Sequence, residues 1–181
     1  MNTNEALLKE ALALHSSGEI EQAKRIYTQI LASEPDNADA NYLLGTVYHQ
    51  TGDNITAESM ILKAINLHPN RLSYRINLGV VYEVSGKFDE AEKIYSEALS
   101  LNPDDPHVLF NLANCYTSQK KFEDAVPCYK KIVSMIPQHA AAFASLGYCY
   151  LELDQLESAG NALEEALELD PDNADYQYNL G

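Results

Sequence analysis

The chain has 181 residues, 46% hydrophobic and 22% charged, a balance that belongs to globular rather than disordered proteins. Lys+Arg number 12 against 27 Asp+Glu, and the net charge of -15 argues against nucleic acid and against an anionic membrane surface, both of which call for clustered cations. The 3 cysteines lack paired spacing, no apolar run is long enough to span a bilayer, and Met-Asn-Thr-Asn-Glu lacks the regions of a signal peptide, so a soluble, cytoplasmic protein is expected.

Internal repeats organise everything else. Pro35, Pro69, Pro103, Pro137 and Pro171 recur at steps of 34 residues, and proline punctuates because it lacks an N–H. Ala23, Ala57, Ala91, Ala125 and Ala159 keep the same step. So do Tyr48, Tyr82, Tyr116 and Tyr150, with Leu14 in the matching slot. Leu44, Leu78, Leu112 and Leu146 are each followed by a small residue, and Gly18, Gly52 and Gly86 form a further series.

In chain order this predicts five repeats, 4–37, 38–71, 72–105, 106–139 and 140–173, with 174–181 opening a sixth. Each reads as helix, short turn, helix, loop. In the first, Glu10 stands where the others carry leucine and Lys9 precedes it, which suits the wetted outer face of a terminal repeat. In the third, Ile76, Val80 and Val84 make one stripe and Leu78, Val81 and Tyr82 another. Gly86 then breaks the pattern before a second helix from Phe88 to Leu101, and Pro106 is placed to begin the next helix. In the fourth, Pro127 falls inside the second helix, where it should kink the helix or remove a backbone bond. The sixth repeat stops at its small-residue slot, so the chain is expected to be the front part of a longer protein.

With its small-residue, Tyr, Ala, aromatic and Pro slots filled by Gly79, Tyr82, Ala91, Tyr95 and Pro103, the chain resembles a tetratricopeptide-repeat array. The family's frequent tryptophan is replaced by Leu7, Asn41, Arg75, Leu109 and Phe143. The resemblance implies an all-α fold: a right-handed superhelical solenoid of antiparallel helix pairs, first helices lining a concave groove.

Chemistry has little to stand on. No pair of His15, His49, His68, His107 and His139 sits three or four apart, and none joins a cysteine at zinc spacing, so no metal and no cofactor are expected. His15 and His49 share a slot and suit a partner contact or solvation. Cys115, Cys128 and Cys149 read as packing residues, with no obvious cation nearby to stabilise a thiolate. Catalytic loops and elbows are missing, and no catalytic residue is assigned.

Binding is better represented. Seven of the 12 tyrosines, Tyr27, Tyr48, Tyr82, Tyr95, Tyr116, Tyr129 and Tyr150, fall in packing slots. Tyr74 and Tyr176 lie outside them, as do Tyr42, Tyr148 and Tyr178, which the resemblance places on the inner face as partner anchors or as stacking between repeats. Asn77, Asn111 and Asn179 recur in one slot, with Leu43 and Ser145 in the second and fifth repeats. An amide side chain matches the N–H and C=O of a peptide group. The row is similar to the asparagine ladder of O-linked N-acetylglucosamine transferase arrays, although asparagines on a merely solvated face would look the same. Asn114 extends the strip.

Co-chaperone repeats that grip a C-terminal carboxylate place lysine where this chain has Leu8, Tyr42, Ile76, Phe110 and Ala144, so that partner class is not expected. Lys131 is the last basic residue, and Glu152, Asp154, Glu157, Glu164, Glu165, Glu168, Asp170, Asp172 and Asp175 follow it. This imbalance suits a basic partner or simple solvation.

The expected function is therefore a non-catalytic scaffold holding a protein or peptide segment in the groove. The expected contacts are Tyr42, His49, Asn77, Phe110, Asn111, Asn114, Tyr148 and Asn179. The alternative is the substrate-presenting arm of a larger enzyme, such as a bacterial glycosyltransferase. Self-association through the open C-terminal end is a third expectation.

Overall fold

A computed structural model describes residues 3–174. They form α1 (Thr3–Ser16), α2 (Ile20–Ser33), α3 (Ala38–Gln50), α4 (Asn54–Leu67), α5 (Leu72–Val84), α6 (Phe88–Leu101), α7 (Pro106–Ser118), α8 (Phe122–Met135), α9 (Ala140–Glu152) and α10 (Leu156–Leu169), with no strand among the described residues. The sixth-repeat residues 175–181, including Tyr176, Tyr178 and Asn179, lie outside that range.

Local chemistry sets the helix ends. Side chains of Asn37 and Asp53 accept from the backbone N–H of Ala40 (2.9 Å) and Thr56 (3.0 Å), satisfying donors that a helix start leaves orphaned. Asp105 accepts from His107 and Val108, both at 3.1 Å, and Pro106 begins α7 as the sequence predicts. First helices all stop in one way. The N–H groups of Glu19, Asp53, Lys87, Lys121 and Gln155 donate to the carbonyls of Leu14, Tyr48, Tyr82, Tyr116 and Tyr150, at 2.8–2.9 Å.

That closure needs the preceding residue in the left-handed region. Gly18, Gly52 and Gly86 take it at φ 85°, 87° and 71°, and Lys120 and Asp154 adopt it at 60° and 56° in the same slot. α8 runs unbroken through Pro127, which has no N–H to donate to the Glu123 carbonyl.

The chain divides into two compact units, Met1–Glu90 and Ala91–Gly181, the division falling in the first turn of α6. In the first, α1 packs on α2, α2 on α3, α3 on α4 and α4 on α5. In the second, α7 packs on α8, α8 on α9 and α9 on α10. The core of the first unit gathers Ala11, Ala23, Tyr27, Leu44 and Val47; that of the second centres on Leu109, Ala125, Tyr129, Ile132 and Leu146. All five alanines of the Ala23 series are fully buried.

Close approach explains the glycines that follow Leu44 and Leu146. A Cβ on Gly45 would meet Ile61 Cγ1 at 2.7 Å and the Ala57 carbonyl oxygen at 3.3 Å; one on Gly147 would meet Leu163 Cγ at 2.7 Å. The replaced tryptophan slot has its own use. Asn41, 1% exposed, donates to the Pro35 carbonyl at 3.0 Å, and the Arg75 guanidinium donates to that of Pro69. Glu10 and Lys9 are exposed.

Candidate functional site

In the first unit the candidate residues lie on α3 and α5. Tyr42 stacks on Tyr74 with ring centroids 4.5 Å apart. Its hydroxyl accepts from Asn77 Nδ2 at 2.7 Å, and Tyr74 donates to Asp39 Oδ1 at 2.5 Å. Burial is the main force raising the Tyr42 and Tyr74 hydroxyls above the ordinary tyrosine range, and the Asp39 bond holds the Tyr74 proton further. Tyr74 is 2% exposed. It lies outside the recurring tyrosine slots, and its slot-mates Ala40, Val108 and Ala142 are fully buried while Ala6 of the first repeat is exposed; the small or apolar character of that slot is the signal the sequence carries.

Asn77 and His49, 28 positions apart, converge on one cavity of about 120 Å³. Thr46, Gln50, Ile61, Val80 and Val81 complete its lining. Ile61 and Val81 are fully buried, whereas Thr46, His49, Asn77 and Val80 are half-buried. No carboxylate, lysine or arginine lines this cavity.

The polar groups around it are partly committed. Thr46 donates its hydroxyl proton to the Leu43 carbonyl at 2.7 Å, and His49 Nδ1 pairs with Asn54 Oδ1 at 2.7 Å. Assigning the oxygen as acceptor puts the proton on Nδ1 and leaves Nε2 as an acceptor. His15 Nε2 pairs with Gln50 Oε1 at 2.9 Å, which leaves the Gln50 amide N–H groups as donors.

The second unit uses the same slots differently. The Phe110 ring is edge-on to Tyr129 at 5.9 Å and lies 5.2 Å from His139, so it is engaged in packing. Asn114 Oδ1 accepts from the buried Tyr129 hydroxyl at 2.6 Å. Asn111 is half-buried, and its amide makes no hydrogen bond to a described side chain. Tyr148 is 39% exposed, edge-on to Phe122 at 6.0 Å. Asn179 lies outside the described residues.

The three cysteines are free, with Cys115 and Cys149 buried. Burial pushes the Cys128 and Cys149 thiols up. A cation absent from the sequence reading does appear, since Lys131 acts on Cys128, but desolvation outweighs it. Among the described residues, no three His, Cys, Asp or Glu side chains gather to hold a metal. Of the acidic residues after Lys131, Glu152, Asp154, Glu157, Glu164, Glu165, Glu168 and Asp172 are exposed.

Helix pairs of fixed period, joined by identical left-handed turns, with neutral polar and aromatic side chains on the first helices, define a helical-repeat protein of the all-α superhelical class. The chain belongs to the tetratricopeptide-repeat family: the family model described as Cilia and flagella-associated protein 70 C-terminal domain matches residues 68–176, and a tetratricopeptide-repeat model matches residues 14–76. No curated protein matches by sequence.

Solved structures share the fold. MamA (residue 41 to the end) from Desulfovibrio magneticus RS-1 superposes with a TM-score of 0.86 at 18% identity, over 96% of this chain and 98% of that one. YrrB, described as a TPR protein with an unusual peptide-binding site, gives 0.81 at 24% identity, over 95% and 89%. PilF of Pseudomonas aeruginosa gives 0.84 at 20% identity, over 97% and 80%.

Proposed function

We propose that this chain is a non-catalytic interaction scaffold that holds a protein or peptide segment against its first helices. The convergence of His49 and Asn77 on an uncharged, partly apolar cavity carries this reading. A ligand site is typically concave and apolar, with a few convergent polar groups. Structural similarity to YrrB supports the same class of role, since that protein is described as having a peptide-binding site. Asn77 and Asn111 act as rungs of the kind found in O-linked N-acetylglucosamine transferase arrays, each on the face of its own unit. The exposed carboxylates of α10 favour a partner with basic residues, whose capture weakens as salt rises.

The test is affinity capture from lysate with the chain and its Asn77→Ala/Asn111→Ala variant, followed by mass spectrometry. Both proteins should give the same helical circular dichroism, and the variant should lose partners that the wild type retains. Retention of every partner by the variant would overturn the rung role of the two asparagines.

A further inference from the structure

Resting on the scaffold reading, we infer that the cavity between α3, α4 and α5 is a specificity pocket for one aliphatic side chain, leucine-sized, of an extended peptide, with Tyr42 positioning Asn77 to hold the adjoining peptide group. Size comes first. A cavity of about 120 Å³ is close to the space left when a core leucine is removed, or to the room of roughly four liquid waters. Its buried floor, Ile61 and Val81, offers waters no hydrogen bond, so an apolar side chain seated there displaces them favourably, while waters at the polar rim give way to the peptide group. A charged side chain finds no opposite charge in the lining and would lose its hydration there.

The rim then recognises what carries that side chain. One Asn77 Nδ2–H is engaged by the Tyr42 hydroxyl, which anchors that end of the amide. The capacity left is one N–H and the carbonyl oxygen, the complement of a single peptide group. His49 Nε2 adds an acceptor and Gln50 Nε2 a donor. Tyr42 is itself held by the stack on Tyr74, whose hydroxyl is tied to Asp39. Tyr42 is thus a positioning residue: removal of its hydroxyl unties the Asn77 amide, with the aromatic stack intact.

Two variants separate pocket from rim. Thr46→Leu fills the cavity from its rim, and Tyr42→Phe releases Asn77. The probe is a set of fluorescein-labelled, C-terminally amidated nonapeptide pools, randomised except at the central residue, which is Leu, Ala, Phe, Lys or Asp. Binding to the full chain is read by anisotropy.

The wild type should bind the Leu pool about tenfold tighter than the Ala, Lys and Asp pools. Thr46→Leu should erase that preference, so that the Leu and Ala pools bind alike. Tyr42→Phe should weaken all pools together by several-fold, with the order of preference kept. Equal affinity of the wild type for every pool, or a leucine preference that survives in Thr46→Leu, overturns the pocket while leaving the scaffold reading standing. Binding of no pool overturns both.

Discussion

The α3–α5 and α7–α9 regions carry the same slots and use them in opposite ways. Tyr42 and Phe110 occupy one slot, two repeats apart. In α3–α5 the aromatic turns to a second aromatic, Tyr74, and its hydroxyl holds Asn77 beside a cavity. In α7–α9 the aromatic is apolar and packs on Tyr129 and His139, while the Tyr129 hydroxyl takes up Asn114. Slot number therefore does not fix the role of a first-helix residue. The chemistry of the neighbouring second helix decides it: Ile61 cannot hydrogen-bond the polar groups above it, and Tyr129, in the matching slot, binds one.

The largest effect expected on this comparison comes from the small residue facing those slots. Gly45→Val should destabilise the first unit by about 3 kcal/mol, because the new side chain meets stiff Ile61 and backbone rather than a yielding chain end. Ala113→Gly, at the matching position of α7, should cost only about 1 kcal/mol, the ordinary penalty of helical glycine. Urea denaturation of the two variants would show the difference, and a loss at Gly45→Val no larger than that at Ala113→Gly would mean that the approach at Gly45 yields to a side chain.

Alkaline titration comes next. Burial pushes the hydroxyls of Tyr27 in the first unit and Tyr129 in the second up to about 12. A folded value above the unfolded one, about 10, means their contribution is complete below pH about 10 and is lost as pH climbs through about 12. The urea midpoint should hold from neutral pH to about 9 and fall beyond it. Tyr27→Phe and Tyr129→Phe should each flatten that fall.

A smaller effect separates the turns. Lys120→Gly and Asp154→Gly should each raise stability by about 1 kcal/mol, since a β-carbon is disfavoured at positive φ. Gly52→Ala should lower it by a similar amount. The smallest effect concerns Lys63, which reaches the Pro35 carbonyl at 2.6 Å and Asp36 at 3.2 Å; Lys63→Met should shift thermal unfolding by no more than about 0.5 kcal/mol, because such an exposed pair is well screened.

The repeat was legible because Pro, Ala, Tyr and Gly mark backbone requirements that recur with every helix pair. Lys120 and Asp154 show the limit of that legibility: the backbone demands the left-handed turn even where the sequence withholds glycine, so the series looks shorter than it is. Tyr74 stands outside the recurring tyrosine series because its slot-mates are alanine and valine, and its burial shows only in the structure, where Asp39 takes its proton. The convergence of His49 with Asn77 was out of reach. It depends on how α3 and α5 lie over Ile61, and no spacing within either helix encodes that. Phe110 shows the converse, an aromatic in an inner-face slot that serves the core as much as the face.

On the proposed reading, the first-helix face of α3–α5 reads a side chain of the bound segment, whereas α7 adds only the Asn111 rung for its backbone. Amide and methyl NMR of the full chain, titrated with the Leu-centred nonapeptide pool, tests it directly. The largest shifts should fall on Thr46, His49, Asn77 and Val80, with Phe110 and Asn114 little changed. Shifts concentrated on Phe110, Asn114 and His139 instead would contradict it.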